Sequence, residues 1–308
     1  MRHSLWRVAS KSKFLRRHIV GLIPPPDAYQ NRLAHRAIRP CHVLQCSMFP
    51  HLRTVSISIS HPKQFVEDCI ALKKMSIAPI ATLRSLTLEI GYMNAHADVL
   101  THVLPMVAPR ELSQLIIHGH YPTVEINLDV LCGYPMLIEL GLLEMRISQK
   151  NRDIVKQLTN LETVHGNGLF SSHHAQPLSA EPHTFQKLQR LHLPFSTLDS
   201  EFVLRLAALP TLTELRDIDY DSLSFLHLLP HITSLHVVGF RNRNALSWIV
   251  PCNLAHLTHL TLEDVPCASR EDDTKFDPDF SQFLQRLPRL VSLELKRCGE
   301  GLTTLLLP

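Results

Sequence analysis

From about residue 50 onward, apolar residues recur at positions i, i+3 and i+5 with polar residues between them. The triplets are Leu52/Val55/Ile57, Leu83/Leu86/Leu88, Leu112/Leu115/Ile117, Leu137/Leu140/Leu142, Leu188/Leu191/Leu193, Ile232/Leu235/Val237, Leu257/Leu260/Leu262 and Leu290/Leu293/Leu295. Two weaker copies fill the gaps, Leu161/Val164 with Gly166 in the last slot and Leu212/Leu215 with Asp217 there. Successive copies start 31, 29, 25, 24, 27, 24, 20, 25 and 33 residues apart. Within each copy the last two apolar positions alternate with polar ones, which is the period of a half-buried strand. A step near 26 kept across ten copies marks an array of supersecondary units.

The segments between triplets switch to a helical period. In "DPDFSQFLQRL", Phe280, Phe283, Leu284 and Leu287 fall on one helix face, with Asp277 placed to cap and Pro278 at the first position. "DSEFVLRLAAL" (199–209), "KQFVEDCIALKKM" (63–75) and the shorter "ADVLTHVL" (97–104) carry similar stripes. Five copies have a proline two residues upstream of the first Leu: Pro50, Pro135, Pro210, Pro230 and Pro288. A proline there ends the preceding element and favours extended backbone before it.

With these triplets the chain resembles the leucine-rich repeat family over about residues 45 to 308. The resemblance implies an α/β leucine-rich repeat solenoid of about ten irregular repeats, a horseshoe with a parallel inner sheet and helical or irregular outer segments. The turn residue of that family, Asn or Cys three positions after the last Leu, appears here only as Cys298. Asp217, in an inward slot, predicts a bulge or register shift in its copy. "GLTTLLLP" at the end reads as a C-terminal cap.

Residues 1–23 form a separate basic, amphipathic segment, predicted as a helix, and 24–44 a proline-containing linker or cap, opened by Pro24, Pro25 and Pro26. Three readings of the first segment stay open. It is a helix capping the first repeat, or a mitochondrial presequence, since it is Arg-rich with no acid before Asp27. Alternatively "LWRVASKSKFLRRHI" resembles the closing third of an F-box, with Leu5, Val8, Lys11, Phe14, Arg16 and Ile19 matching its pattern. That resemblance implies a substrate receptor of a cullin ubiquitin ligase, contacting a Skp-family adaptor through Leu5, Val8, Phe14 and Ile19. The Leu-Pro start of that motif is absent.

Composition narrows the function classes. The first 40 residues hold nine Lys or Arg and one acid, whereas the rest is slightly acidic, so the net charge of +3 does not point to nucleic acid. No apolar run approaches the ~20 residues of a membrane span. Seven cysteines form no CxxC pair and read as reduced thiols of a cytoplasmic or nuclear protein. No phosphate loop, zinc-protease motif or nucleophile elbow occurs, so the expectation is a non-enzyme without metal or cofactor.

Histidine, at 20 copies, is the compositional exception. In each triplet the residues flanking the second Leu face away from the core. The slot after it places His165, His192, Arg216 and His236 in a row on consecutive strands, with Glu294 further along; the slot before it gives Arg190, Glu214 and His259. This surface is expected to bind a protein on the concave side, an acidic or hydrogen-bonding segment held less tightly as pH rises and histidine loses charge. The alternative is a plain interaction scaffold, and the remotest reading an enzyme or metal-binding protein using the His-rich surface.

Overall fold

A computed structural model describes residues 18–20, 53–59, 62–74, 80–90, 98–119, 126–145, 147–166, 185–196, 200–219, 226–239, 254–264, 278–298 and 305–306. The chain divides into two compact units, Met1–Leu161 and Glu162–Pro308.

In the first unit, strands β1 (His18–Val20), β2 (Thr54–Ile59), β3 (Ser85–Ile90), β4 (Gln114–Gly119) and β5 (Glu139–Leu143) pair in sequence order, all parallel. The register puts like slots side by side. Val55, Leu86, Leu115 and Leu140 form one row, Ile57, Leu88, Ile117 and Leu142 the next, and all eight are buried. Burying one such side chain contributes about 1.5–3 kcal/mol, so rows shared by neighbouring repeats are what hold the array.

The returns differ in form. Helix α1 (Pro62–Lys74) packs against α2 (Val99–Val103), which tightens into a 3-10 turn at Leu104–Met106. A 3-10 turn at Asp129–Gly133 packs beside α3 (Gln149–Lys156). Helix α3 was not legible as an apolar stripe, because its sequence QKNRDIVK buries only Asn151, Ile154 and Val155. A polar device forms it instead. Ser148 caps it by accepting from the Asn151 N–H, while the buried Asn151 amide donates to the Ile126 carbonyl at 2.6 Å and accepts from the Leu128 N–H at 3.2 Å.

In the second unit, β6 (Thr163–His165), β7 (Arg190–Ser196), β8 (Glu214–Asp219), β9 (Ser234–Val238), β10 (His259–Glu263) and β11 (Ser292–Lys296) are parallel in sequence order. The buried row is Val164, Leu191, Leu215, Leu235, Leu260 and Leu293. Strand β12 (Leu305–Leu306) runs antiparallel beside β11, ending that parallel ladder as a C-terminal cap does. Helices α4 (Ser200–Ala207) and α5 (Pro278–Gln285) fall where the helical stripes predict, burying Phe202, Val203 and Leu206, and Phe280 and Phe283.

One entry turn recurs in both units. The N–H of the first motif residue donates three residues back, as in Leu137 to Tyr134, Leu212 to Leu209, Ile232 to Leu229 and Leu290 to Leu287. Pro135, Pro210, Pro230 and Pro288 therefore occupy the second position of a four-residue turn, where a fixed φ suits them. Pro50 lies outside the described residues. After the turn, one carbonyl of the preceding repeat accepts two consecutive N–H groups: Arg53 from Arg84 and Ser85, Gln189 from Thr213 and Glu214, Thr233 from Thr258 and His259.

Strand exits explain the two weak copies. Glu144, Asp264 and Arg297, each directly after its strand, have φ of 53°, 55° and 54°. Gly166 and Asp217 turn left-handed earlier, in the third motif slot itself, with φ of 117° and 60°. Both registers involving β8 shift beside Asp217, and Ile218 enters the core in its place.

Two expectations are corrected. His18–Val20, placed by the pattern within a helix, is a strand paired with Thr54–Ser56, the extended edge that a parallel array offers; the rest of the 1–23 helix and the 24–44 segment lie outside the described residues. The sequence pattern of the last copy places Leu290, Leu293 and Leu295 all toward the core, but Leu290 is half-buried, unlike the other two. Cys298, in the turn slot, is buried with its thiol on the Leu262 carbonyl at 3.2 Å and the Lys296 carbonyl at 3.3 Å.

Candidate functional site

A parallel sheet usually has both faces covered. Here the residues alternating with the core rows are polar and retain solvent exposure along most strands, as in the half-exposed Thr54, Ser56 and Ser58 of β2. On β2 and β3 this face is short and hydroxyl-rich, with Ser85 donating to Gln114 on the next strand. His118 lies 3.6 Å from Glu144 at its edge. Gly141 leaves room for Ile116, whose Cδ1 would sit 2.7 Å from an added Cβ.

All eight predicted partner-binding residues lie on the second unit. The ladder sets His165, His192 and Arg216 side by side, and Arg190 beside Glu214. It likewise aligns His236 with Thr261 and Glu294, and Ser234 with His259 and Ser292. The predicted row of four is interrupted, because the β8–β9 pairing shifts between Leu215 and Ile218, beside Arg216.

The side chains also pair internally. His165 and His192 have ring centroids 4.1 Å apart. Arg216 turns along its own strand to donate to Glu214. Thr261 reaches Glu294 at 3.3 Å, and Lys296 is 3.4 Å from the same carboxylate. His236 is the centre of the most buried cluster, with a side chain 17% exposed, its Nδ1 2.9 Å from Asp217 Oδ1 and its Nε2 3.2 Å from Glu263 Oε2. The second contact is off line for a hydrogen bond, so the buried Nε2 is left without one. Glu263 is held from its other oxygen by Arg297 at 2.5 Å, which also binds Asp264 at 2.7 Å.

The hydrogen bond from His236 holds the Asp217 carboxyl below the usual carboxylate range against the opposing effect of burial, with the charges of His236, His192 and Arg216 assisting. Asp217, Glu263, Asp264 and Arg297 were missed as surface residues. The left-handed bend turns Asp217 out of its core slot, and strand alternation from Leu260 and Leu262 would have found Glu263. Of the predicted adaptor-binding residues, Ile19 is in β1, and Leu5, Val8 and Phe14 lie outside the described residues. Among the described residues no group of three His, Cys, Asp or Glu side chains is placed to hold a metal ion. No helix among them is long and apolar enough to cross a membrane.

The fold is an α/β leucine-rich repeat solenoid.

No protein-family model matches the chain, and no curated protein does. Among solved structures, the chain is similar to one in the TLR13-ssRNA13 complex, at 16% identity and TM-score 0.43, over 81% of this chain and 36% of that one. An internalin (InlF) from Listeria monocytogenes matches at 16% identity and TM-score 0.36, over 83% and 80% of the two chains. A chain of the LRIM1/APL1C complex matches at 12% identity and TM-score 0.29, over 82% and 36%. The chain thus spans about a third of the first and third of these and four fifths of the second. The fold reading rests on the chain's own strand registers.

Proposed function

We propose that the chain is a non-catalytic protein-recognition module that binds its partner across the polar face of its repeat strands. One observation carries this reading: a parallel ladder, normally sealed on both sides, presents charged and imidazole groups to solvent on consecutive strands of the second unit, with Arg216, His259 and Lys296 exposed. Such a surface offers many fixed hydrogen-bonding groups, which suits recognition of another macromolecule. Among the described residues Cys69, Cys132 and Cys298 form no disulfide, in keeping with a reducing cytoplasmic or nuclear setting.

The finer reading, a substrate receptor joined to a Skp-family adaptor and a cullin, draws its support from the sequence of residues 5–19 alone. The strand at Ile19 does not extend the helix that this reading needs. A mitochondrial destination draws on the same basic segment, and trimming of the mature N-terminus would favour it.

Affinity purification of the full chain, followed by mass spectrometry, tests both levels. Specific partners should be retained by wild type and lost when Arg190, His192 and His259 are replaced together by Ala. Retention of every partner by that variant contradicts the face assignment. Recovery of a Skp-family adaptor with a cullin supports the receptor, and their absence beside other specific partners removes it.

A further inference from the structure

In the first unit the residue just before each strand fills one recurring slot, and its N–H donates to the carbonyl of the same slot one repeat back. Arg84 donates to Arg53 at 2.8 Å, Ser113 to Arg84 at 2.9 Å and Ile138 to Ser113 at 2.8 Å. The slot therefore sets Arg53 and Arg84 side by side, about 4.8 Å apart, and runs on through Ser113 to Ile138. Arg53, Arg84 and Ile138 are exposed, as are Arg110 and Glu111 in the turn entering β4 and Met136 in the turn entering β5.

The fold does not call for arginine in this slot. In the second unit it holds Thr213, Thr233 and Thr258, whose hydroxyls donate to the carbonyl one repeat back, as the Ser113 hydroxyl does to Arg84. Like charges side by side on adjacent strands repel and lower stability. Nothing among the described residues offsets this: the Arg53, Arg84 and Arg110 side chains form no hydrogen bond or ion pair there, and Glu139 on β5 is held in a contact that does not involve them. The stretches leading into the first two of these slots, 47–52 and 75–79, contain no acid. The rim thus carries three arginines against Glu111 and ends on two exposed apolar side chains, Met136 and Ile138.

We infer that this strand-entry rim of the first unit receives an acidic segment of a partner protein, with carboxylates on the Arg53 and Arg84 guanidinium groups and an apolar side chain on Met136 and Ile138. A guanidinium fork takes a carboxylate through two parallel N–H donors, and a bound acid also relieves the repulsion between the arginines. The Arg84 and Ile138 slots are two strand spacings apart, about 10 Å, which an extended segment covers in about 3 residues. The partner sequence is therefore an acidic pair with an apolar residue about 3 positions away. The apolar end selects protein over nucleic acid, since a phosphate backbone would engage the arginines and leave Met136 and Ile138 bare. None of these residues belongs to the polar face, so the inference goes beyond the recognition reading above.

Fluorescence anisotropy of the full chain at low salt tests this with three labelled Gly/Ser-based decapeptides. One carries an adjacent Glu pair and a Leu at that spacing, one has Gln for Glu, and one has Ser for Leu. The Glu/Leu peptide should bind best, and either replacement should weaken binding about threefold or more. Arg53→Gln combined with Arg84→Gln should weaken it about fivefold or more, with the urea midpoint unchanged or raised because the repelling pair is gone. Equal binding of the Glu and Gln peptides, full binding by the double variant, tighter binding of an oligothymidylate of equal length, or no binding of any peptide would overturn the inference. A lowered urea midpoint in the double variant would assign the arginines to the fold and also contradict it. The polar-face reading stands or falls separately, on retention of cellular partners by the Arg190, His192 and His259 variant.

Discussion

Asp217 does two jobs through one backbone angle. Its left-handed φ of 60° removes a charged side chain from a core slot and delivers it to His236 on the neighbouring strand. The carboxyl is held below its usual range by that hydrogen bond, so its contribution to stability is complete above the unfolded carboxylate pKa and is lost as pH falls through the folded one. Because the side chain is about a third exposed, the effect is small, under about 1 kcal/mol after screening. Urea midpoints of wild type and Asp217→Asn should converge between about pH 5 and pH 3. A gap that stays constant over that range contradicts the linkage.

Two other residues carry sharper expectations. Asn151 holds the Ile126 carbonyl and the Leu128 N–H in a buried setting, so Asn151→Ala orphans both and should cost about 2–4 kcal/mol in denaturant unfolding. Burial, helped by Asp68, pushes the Cys69 thiol up to about 12. Maleimide labelling of the native protein at pH 7.4, mapped by mass spectrometry, should therefore mark the exposed Cys132 and spare Cys69 and the buried Cys298.

At the scale of elements, legibility follows how each element earns its place. All ten motif copies land on strands, because period-two alternation reports burial directly. Helices α1, α4 and α5 were legible from stripes such as Phe280 and Phe283. Phe280→Ala, at a fully buried position, should cost about 3–5 kcal/mol. Helix α3 was hidden because a Ser cap and a buried Asn, not an apolar stripe, define it. Strand β1 was hidden because Ile19 sits in a pattern that suits a helix, and only pairing with β2 decides otherwise. The prolines were legible as breaks, while their place as second residues of entry turns needed the hydrogen bonds. Likewise the row of His165, His192 and Arg216, and the Glu214 that Arg216 meets, were readable from slot arithmetic, but Asp217 and Asp264 are placed by a bulge and a strand exit, which no repeat template supplies.

At the scale of the molecule, a polar face on consecutive parallel strands is what the fold offers to a partner, and the returns on the other side are its support. The contrast can be probed without knowing the partner. A photo-crosslinking amino acid is introduced in the full chain at His259, exposed on the polar face, or at Leu204, exposed on α4. Irradiation in cells should yield discrete protein adducts from position 259 and none shared with position 204. Adducts formed from position 204 alone, or the same adducts from both, would contradict the assignment of recognition to the polar face.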